Sequence, residues 1–303
     1  MSPTDAETVT RACLGAISGP DAPTATQLRV LSSIGTHFWG LSNIDLTSDA
    51  GLSPEEAAAG ITSSRLRRRT RELMVMLELC RYPLEASHQQ HMEDYCRALG
   101  EDGPGLAVTR TFIAEGAEAA TADYLRRFTE RAPEMMEPAM LEIVGAEADA
   151  AARRLDEIGA ALRSAEQGTL GAEFRGFYER SGFAFGPEVI PIFAHDMSHV
   201  IGGYDATPIG EICIGVMKLM ITDSDIHWIE LLGNVMIHEA GIILPEGYAP
   251  ASPALDDPAN VELVVRAMER GRATAKDFSN VDHLSMIDWP YTAVLEEFGV
   301  PPL

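Results

Sequence analysis

The segment HDMSHVIGGYDATPIGE, His195–Glu211, decides how the rest of this chain is interpreted. Its pattern is H-D-x-x-H followed by eleven residues and a glutamate, which brings four side chains able to bind metal into one short segment. An α-helix turns about 100° per residue, so His195, Asp196 and His199 project from one arc of a helix. The first half of the segment therefore predicts a helix that carries three polar groups on one face.

The second half of the segment predicts a turn and a new helix. Gly202, Gly203 and Pro208 make it difficult for one helix to continue to Glu211. Thr207 followed by Pro208 is a common helix start, because threonine caps the first turn and proline is tolerated there. Glu211 would then return toward the histidines on a second helix.

Two imidazoles and two carboxylates in a helix–loop–helix form a donor set suited to a divalent metal. The sequence predicts four ligands: His195, Asp196, His199 and Glu211. Asp196 can alternatively accept a ring N–H from a liganding histidine and fix its tautomer without binding the metal itself. Zinc is the expected ion, with manganese or iron as alternatives. The other interpretation has no metal: Glu211 starts a helix, and the histidines lie at the edge of the core and hydrogen-bond to Asp196.

Helical spacing extends over most of the chain and predicts an all-α protein. Ser53, Pro54 and Glu56 form a capping box at one helix start, and apolar residues from 138 to 165 recur at the spacing of one long amphipathic helix. Prolines 133 and 138 mark the expected boundary between two helical domains, residues 1–135 and residues 136–303, with the first packed on the second.

The composition limits the possible partners and location. A formal net charge of −23 argues against nucleic acid as a partner. The longest apolar stretch, Ile212–Ile221, includes Lys218 and is too short to cross a bilayer. The four cysteines form no C-x-x-C pair, and we expect buried, reduced thiols. The cytoplasm is the predicted location, with peripheral contact at the inner membrane face as a further expectation.

Four polar residues follow the metal motif at helical spacing within an apolar segment. They are His227, Glu230, Asn234 and His238. They either line a substrate cleft near the metal or form the solvent-exposed face of an amphipathic helix, and helical patterns of this kind favour the exposed face. Tyr204, in the predicted turn, is either a ligand for a substrate head group or a turn residue. The candidate substrate-binding residues are therefore Tyr204, His227, Glu230 and His238.

Two parts of the chain resemble known families. Residues 71–76 and 98–102 are similar to segments of the TerB-like helical fold, associated with tellurite resistance. In the C-terminal half, residues 168–178 and 289–303, together with the H-D-x-x-H-x11-E motif, resemble the Coq-four family of coenzyme Q (ubiquinone) biosynthesis proteins. The helices that precede the motif in that family are not recognisable here.

The Coq-four resemblance implies a helical domain in which His195, Asp196, His199 and Glu211 bind a divalent metal, usually zinc. It also implies a hydrophobic cleft for a prenylated aromatic or other isoprenoid lipid. The implied reaction, of a lyase or oxidative decarboxylase type, replaces the ring carboxyl group of a prenylated hydroxybenzoate by a hydroxyl group. Other enzymes of the same biosynthesis, and a second copy of the chain, are the implied protein partners.

Two further functions are compatible with the same motif. If all four groups bind the metal, the site is closed, and the protein is a non-catalytic lipid-binding or scaffold protein with a structural metal. If a coordination position stays open, a metal-dependent hydrolase is possible, with Asp196 or Glu211 as the catalytic base. A catalytic role for these two acids is the expectation shared by both enzymatic interpretations.

Overall fold

The computed structural model describes residues 1–42, 44–47, 50–246 and 253–303, and it is all-α, as the sequence predicts. No strand is present among the residues it describes. The helices are α1 (Pro3–Ile17), α2 (Ala25–Ser33), α3 (Pro54–Gly60), α4 (Ser64–Glu78), α5 (Ala86–Leu99), α6 (Pro104–Glu115), α7 (Ala117–Arg131), α8 (Pro138–Val144), α9 (Ala148–Ser164), α10 (Leu170–Ser181), α11 (Phe193–Gly202), α12 (Pro208–Ile221), α13 (Asp225–His238), α14 (Pro258–Ala273) and α15 (Tyr291–Phe298).

The chain forms two compact units, each assembled from two stretches of sequence. The first comprises Met1–Arg127 with Trp228–Arg266, and the second comprises Phe128–His227 with Ala267–Leu303. The chain passes from one unit to the other within α7, α13 and α14. The division into two domains at residues 1–135 and 136–303 stays a prediction. The two compact units are defined by spatial contacts alone.

The first unit is built around α1, which packs against α3, α4 and α5. Capping boxes fix the starts of α1, α2 and α3, and the box at Ser53 and Glu56 is the predicted one. Gly15 allows a close approach at the centre of this packing. A β-carbon there would lie 2.2 Å from the carbonyl oxygen of Leu52 and 2.5 Å from the hydroxyl oxygen of Tyr95. Any side chain at residue 15 would therefore force α1 away from α5.

In the second unit, α10 packs against α9, α11 and α15, and α11 packs against α12. Phe174 and Phe177 of α10 and Phe193 of α11 are fully buried, and the ring centroids of Phe174 and Phe193 are 5.2 Å apart. This aromatic core fixes α11, the helix that carries both histidines of the motif.

A short antiparallel bridge between Thr169 and Pro290 ties together segments that are distant in the sequence. The backbone N–H of Tyr291 donates to the carbonyl of Gly168 at 2.8 Å, and the hydroxyl of Tyr291 donates to the carbonyl of Val200 at 2.7 Å. The three segments that carry the Coq-four resemblance thus meet within one unit.

Some local predictions are confirmed and one is wrong. The four cysteines are free and buried, and no helix among the described residues is long and apolar enough to cross a membrane. The single long helix predicted over residues 138–165 is instead two helices, α8 and α9. The break follows Val144, with Gly145 as the C-cap of the first helix, and α9 starts again at Ala148; glycine is a weak helix former because it has no side chain to restrict its backbone.

Candidate metal site

Helix α11 places His195 and His199 one turn apart on the same face. Their Nε2 atoms lie 3.1 Å from each other. The helix ends at Gly203, whose φ of +75° is the left-handed conformation that glycine adopts without strain. The chain therefore turns shortly after His199, as expected for a first helix followed by a turn and a second helix.

Glu211 is brought to the two histidines by the first turn of α12. Thr207 caps this helix by accepting the N–H of Gly210, and Pro208 occupies its first turn, as predicted. Glu211 Oε2 lies 3.1 Å from His195 Nε2 and 3.2 Å from His199 Nε2. The structure therefore brings together three of the four predicted ligands.

The spacing of the three atoms fits a single divalent ion. Nitrogen ligands lie about 2.0–2.1 Å from zinc, which in tetrahedral geometry places them about 3.3–3.4 Å apart. The three separations in this site are 3.1, 3.1 and 3.2 Å. Two imidazole nitrogens and one carboxylate oxygen are also a common donor set for zinc in proteins with an open coordination position.

A hydrogen bond on the far side of the ring orients His199. Its Nδ1 lies 2.9 Å from the carbonyl oxygen of Tyr204, and because a carbonyl only accepts, Nδ1 carries the hydrogen. The other ring nitrogen, Nε2, then faces His195 and Glu211. Phe177 stacks on the same ring, with 5.4 Å between centroids and 19° between planes. The Tyr204 carbonyl and the Phe177 ring therefore fix the orientation of the imidazole plane.

The site is closed on one side and accessible on the other. The side chain of His199 is 1% exposed, whereas those of His195 and Glu211 are 18% and 13% exposed. Burial would raise the pKa of Glu211, but the adjacent imidazoles outweigh it and hold that pKa well below its ordinary value. Glu211 is thus a carboxylate that faces its imidazole partners at the edge of solvent.

Asp196 does not lie among the three converging groups. Its side chain is buried, and Oδ2 accepts a short hydrogen bond from the hydroxyl of Tyr178 on α10. Burial raises the pKa of Asp196 despite the opposing effect of the neighbouring His195. The structure therefore pairs Asp196 with Tyr178, a residue that the sequence did not single out as a partner.

Tyr204 lies directly behind the site, and its backbone supplies the contact. The carbonyl of Tyr204 accepts a hydrogen bond from Nδ1 of His199, and the backbone N–H of Tyr204 donates to the carbonyl of His199 at 3.1 Å. The guanidinium of Arg270 lies over its ring, 5.2 Å from the centroid. Neither Arg270 nor this backbone role could be identified from the motif, because both depend on packing between segments distant in sequence.

The polar residues that follow the metal motif at helical spacing are not exposed to solvent, although their pattern had favoured exposure. His227, Glu230 and His238 are all buried, so the interpretation as a solvent-exposed face is wrong. His227 belongs to the second unit, where Nδ1 lies 2.8 Å from the carbonyl of Thr222 and Nε2 lies 3.2 Å from the hydroxyl of Ser279. Glu230 and His238 belong to the first unit, and a substrate-binding role for the three residues stays a prediction.

Comparisons with known proteins found a distant likeness among solved structures. No family model matches this chain, and no curated protein matches it. Among solved structures, a candidate ubiquinone biosynthesis protein from Nostoc punctiforme matches with 20% identity and a TM-score of 0.36. The match covers 77% of this chain and 99% of the other. This likeness concerns the backbone path alone, and it is distant.

Proposed function

We propose that the second unit binds a divalent metal through His195, His199 and Glu211, and that zinc is the resident ion. The observation that carries this proposal is the convergence of three ligand atoms within 4.8 Å, one of them already oriented by a hydrogen bond behind it. Manganese or iron would accept the same nitrogen and oxygen donors. Asp196, buried against Tyr178, lies outside this ligand set.

Three protein ligands favour a catalytic centre over a structural one. Structural zinc sites are closed by four protein ligands, whereas catalytic sites keep one position for water or substrate. The partial exposure of His195 and Glu211 is consistent with such a position. A divalent ion held there would act as a Lewis acid and stabilise negative charge on a substrate oxygen.

The substrate class that we propose is a prenylated aromatic acid. The support is the Coq-four-like sequence of three segments and their assembly beside the same site through the Thr169–Pro290 bridge. The aromatic side chains of Phe177, Tyr178 and Phe183 lie against one another beside His199 and provide apolar surroundings for such a molecule.

The proposed reaction removes the ring carboxyl group as carbon dioxide. The bond between the ring and the carboxyl carbon breaks, and a proton takes its place on the ring carbon. Replacement by a hydroxyl group additionally requires an oxidant such as dioxygen. Asp196 is the proposed catalytic acid, held in place by Tyr178, while Glu211 serves as a metal ligand rather than as a base.

Elemental analysis of the purified protein tests the metal site. We expect about one divalent ion per chain in the wild type and its loss in His199→Ala and Glu211→Gln. His37→Ala removes an exposed imidazole in the first unit and should keep the ion. Equal metal content in the wild type and His199→Ala would overturn the proposal.

An assay on a prenylated hydroxybenzoate tests the reaction. We expect release of carbon dioxide by the metal-loaded wild type and none by Glu211→Gln. A protein that retains metal and lipid without turnover would be the lipid-binding or scaffold alternative. Ester hydrolysis that depends on Asp196 would instead favour the hydrolase.

A further inference from the structure

Arg270 is a buried arginine of α14 that contacts the end of the metal-binding helix. It is 6% exposed, and its Nη1 donates to the carbonyl of Gly202 at 2.7 Å. Gly202 is the last residue of α11. Burial of an arginine requires that its donors find acceptors, so this contact is part of what makes the position of Arg270 stable.

Two other nitrogens of Arg270 hold the C-terminal segment against the same helix end. Nε and Nη2 donate to the carbonyl of Pro301 at 3.1 and 2.8 Å. Leu303 lies so close to Gly203 that a β-carbon on that glycine would be 2.9 Å from its Cδ1. A guanidinium can serve two carbonyls at once because its N–H groups form a planar fork.

The face of the same guanidinium covers Tyr204, the residue that orients His199. The centroid of the tyrosine ring is 5.2 Å from the guanidinium carbon of Arg270. The backbone of Tyr204 is joined to His199 by two hydrogen bonds, one to the imidazole Nδ1 and one to the His199 carbonyl. Arg270 therefore fixes the residues on either side of Gly203, and one of them sets the direction of His199.

We propose that Arg270 is a positioning residue of the metal site. By holding the Gly202 carbonyl and the Tyr204 ring, it keeps the Tyr204 carbonyl where it accepts the Nδ1 hydrogen of His199. The Nε2 atom of His199 then faces His195 and Glu211. This inference rests on the proposed metal site and extends it to a residue that touches none of the three ligands.

The first measurement is the affinity of the full-length protein for Zn²⁺ alone, by competition with a chelating dye. Arg270→Met replaces the guanidinium by an unbranched apolar side chain and removes every hydrogen-bond donor. Arg270→Lys keeps the positive charge but loses the planar set of N–H groups. Groups that orient a metal ligand typically change affinity by about 10–100-fold, and we expect a loss in that range for both variants. Arg272→Met is the matched control, an exposed arginine on the same helix, and it should bind as the wild type does.

The second measurement follows the imidazole of His199 without any metal. Nitrogen-15 spectra distinguish a ring hydrogen on Nδ1 from one on Nε2. We expect Nδ1 of His199 to carry a hydrogen in the wild type and in Arg272→Met, and to carry it in only part of the molecules of Arg270→Met. A purely structural role of Arg270 would lower the unfolding temperature of the metal-free protein without changing the tautomer.

The outcomes separate the two proposals. If the wild type binds Zn²⁺ and both Arg270 variants bind it equally well with an unchanged tautomer, the positioning role is overturned and the metal site stands. If the wild type does not bind Zn²⁺, the metal site itself is overturned. If Arg270→Met fails to fold, Arg270→Lys decides by the same two readouts.

Discussion

Two groupings of histidine with glutamate lie in the second unit, and they differ in what the imidazole nitrogens face. Glu137 and His283 form a fully buried pair, with His283 Nδ1 2.9 Å from Glu137 Oε2. The other nitrogen, Nε2, lies 2.9 Å from the carbonyl of Phe278. Each ring nitrogen of His283 thus faces an oxygen acceptor, and neither is directed toward a second imidazole.

In the candidate metal site, both ring nitrogens of His199 also face oxygen atoms, but Nε2 faces a second imidazole as well. Its Nδ1 donates to Tyr204, and its Nε2 faces His195 and Glu211. The same two residue types therefore form a closed structural pair in one place and a partly exposed ligand set in the other. What distinguishes the two groupings is that a second imidazole, that of His195, approaches the same carboxylate, rather than the presence of histidine and glutamate.

Breaking the closed pair should have the largest effect on stability. Glu137→Ala leaves the buried His283 imidazole without its carboxylate, and it also removes the acceptor of the His283 backbone N–H, 3.0 Å away. We expect a loss of about 3–5 kcal/mol in the free energy of unfolding, measured with denaturant, because one partner of a buried pair remains. Glu142→Ala, exposed on α8, is the control and should change little. Unchanged stability in Glu137→Ala would contradict the structural role.

Breaking the ligand set should instead lower metal affinity. His199→Ala removes a ligand, and we expect Zn²⁺ affinity to fall by more than about 100-fold, beyond the cost typical of a group that only orients a ligand. Calorimetric titration with Zn²⁺ measures this change. If the Glu137→Ala variant remains folded, its affinity for Zn²⁺ should equal that of the wild type. A parallel loss of affinity in both variants would erase the distinction between the two groupings.

A buried glutamate of the first unit, Glu239, sharpens the comparison, because its carboxyl group accepts from a backbone N–H rather than facing an imidazole. Glu239, in the first unit, accepts the N–H of Leu255 at 2.6 Å, and burial raises its pKa to about 7. The folded protein therefore loses stability as pH rises from the ordinary value of 4.5 through about 7, where this carboxyl group ionises.

Glu239→Gln should remove that loss. We expect the variant to be more stable than the wild type at pH 8 by on the order of 1–3 kcal/mol and equally stable near pH 4, below the ordinary pKa. Unfolding curves at the two pH values measure the difference. Glu246→Gln, an exposed control, should show none. A difference independent of pH would mean that ionisation of Glu239 is not its cause.

The smallest expected effect concerns Asp196 and Tyr178. Tyr178→Phe removes one hydrogen bond to a buried carboxyl group, which is worth about 1–2 kcal/mol of stability. Because Asp196 lies outside the three ligands, we expect Zn²⁺ content to stay the same. Loss of the metal in Tyr178→Phe would place Asp196 back among the groups on which binding depends.

Local features of the fold were predictable because their causes lie within a few residues. The capping box at Ser53, the helix start at Thr207 and the turn at Gly203 each follow from the chemistry of adjacent positions. The approach of Glu211 to His195 follows from two such signals in succession. The break at Gly145 was missed because helical periodicity continues across it.

Contacts between distant segments could not be predicted from the sequence. Periodicity identifies the polar side of α13, but it does not say what covers that side, and the residues at His227 and His238 are buried. The pairing of Tyr178 with Asp196 and the approach of Arg270 to Gly202 depend on how whole helices pack. A motif therefore locates metal ligands more readily than it locates the groups that orient them.

The contacts of Arg270 with Gly202 and Pro301 have a consequence for the order of events during synthesis. The three proposed metal ligands end at Glu211, but the residues that hold the end of α11 come from α14 and from the segment that follows α15. At about 5–20 residues per second, a ribosome needs several seconds to pass from Glu211 to Pro301. During that interval the nascent chain has all three ligands and lacks the clamp that orients His199. Metal capture at full affinity is therefore expected to follow the synthesis of the C-terminal segment.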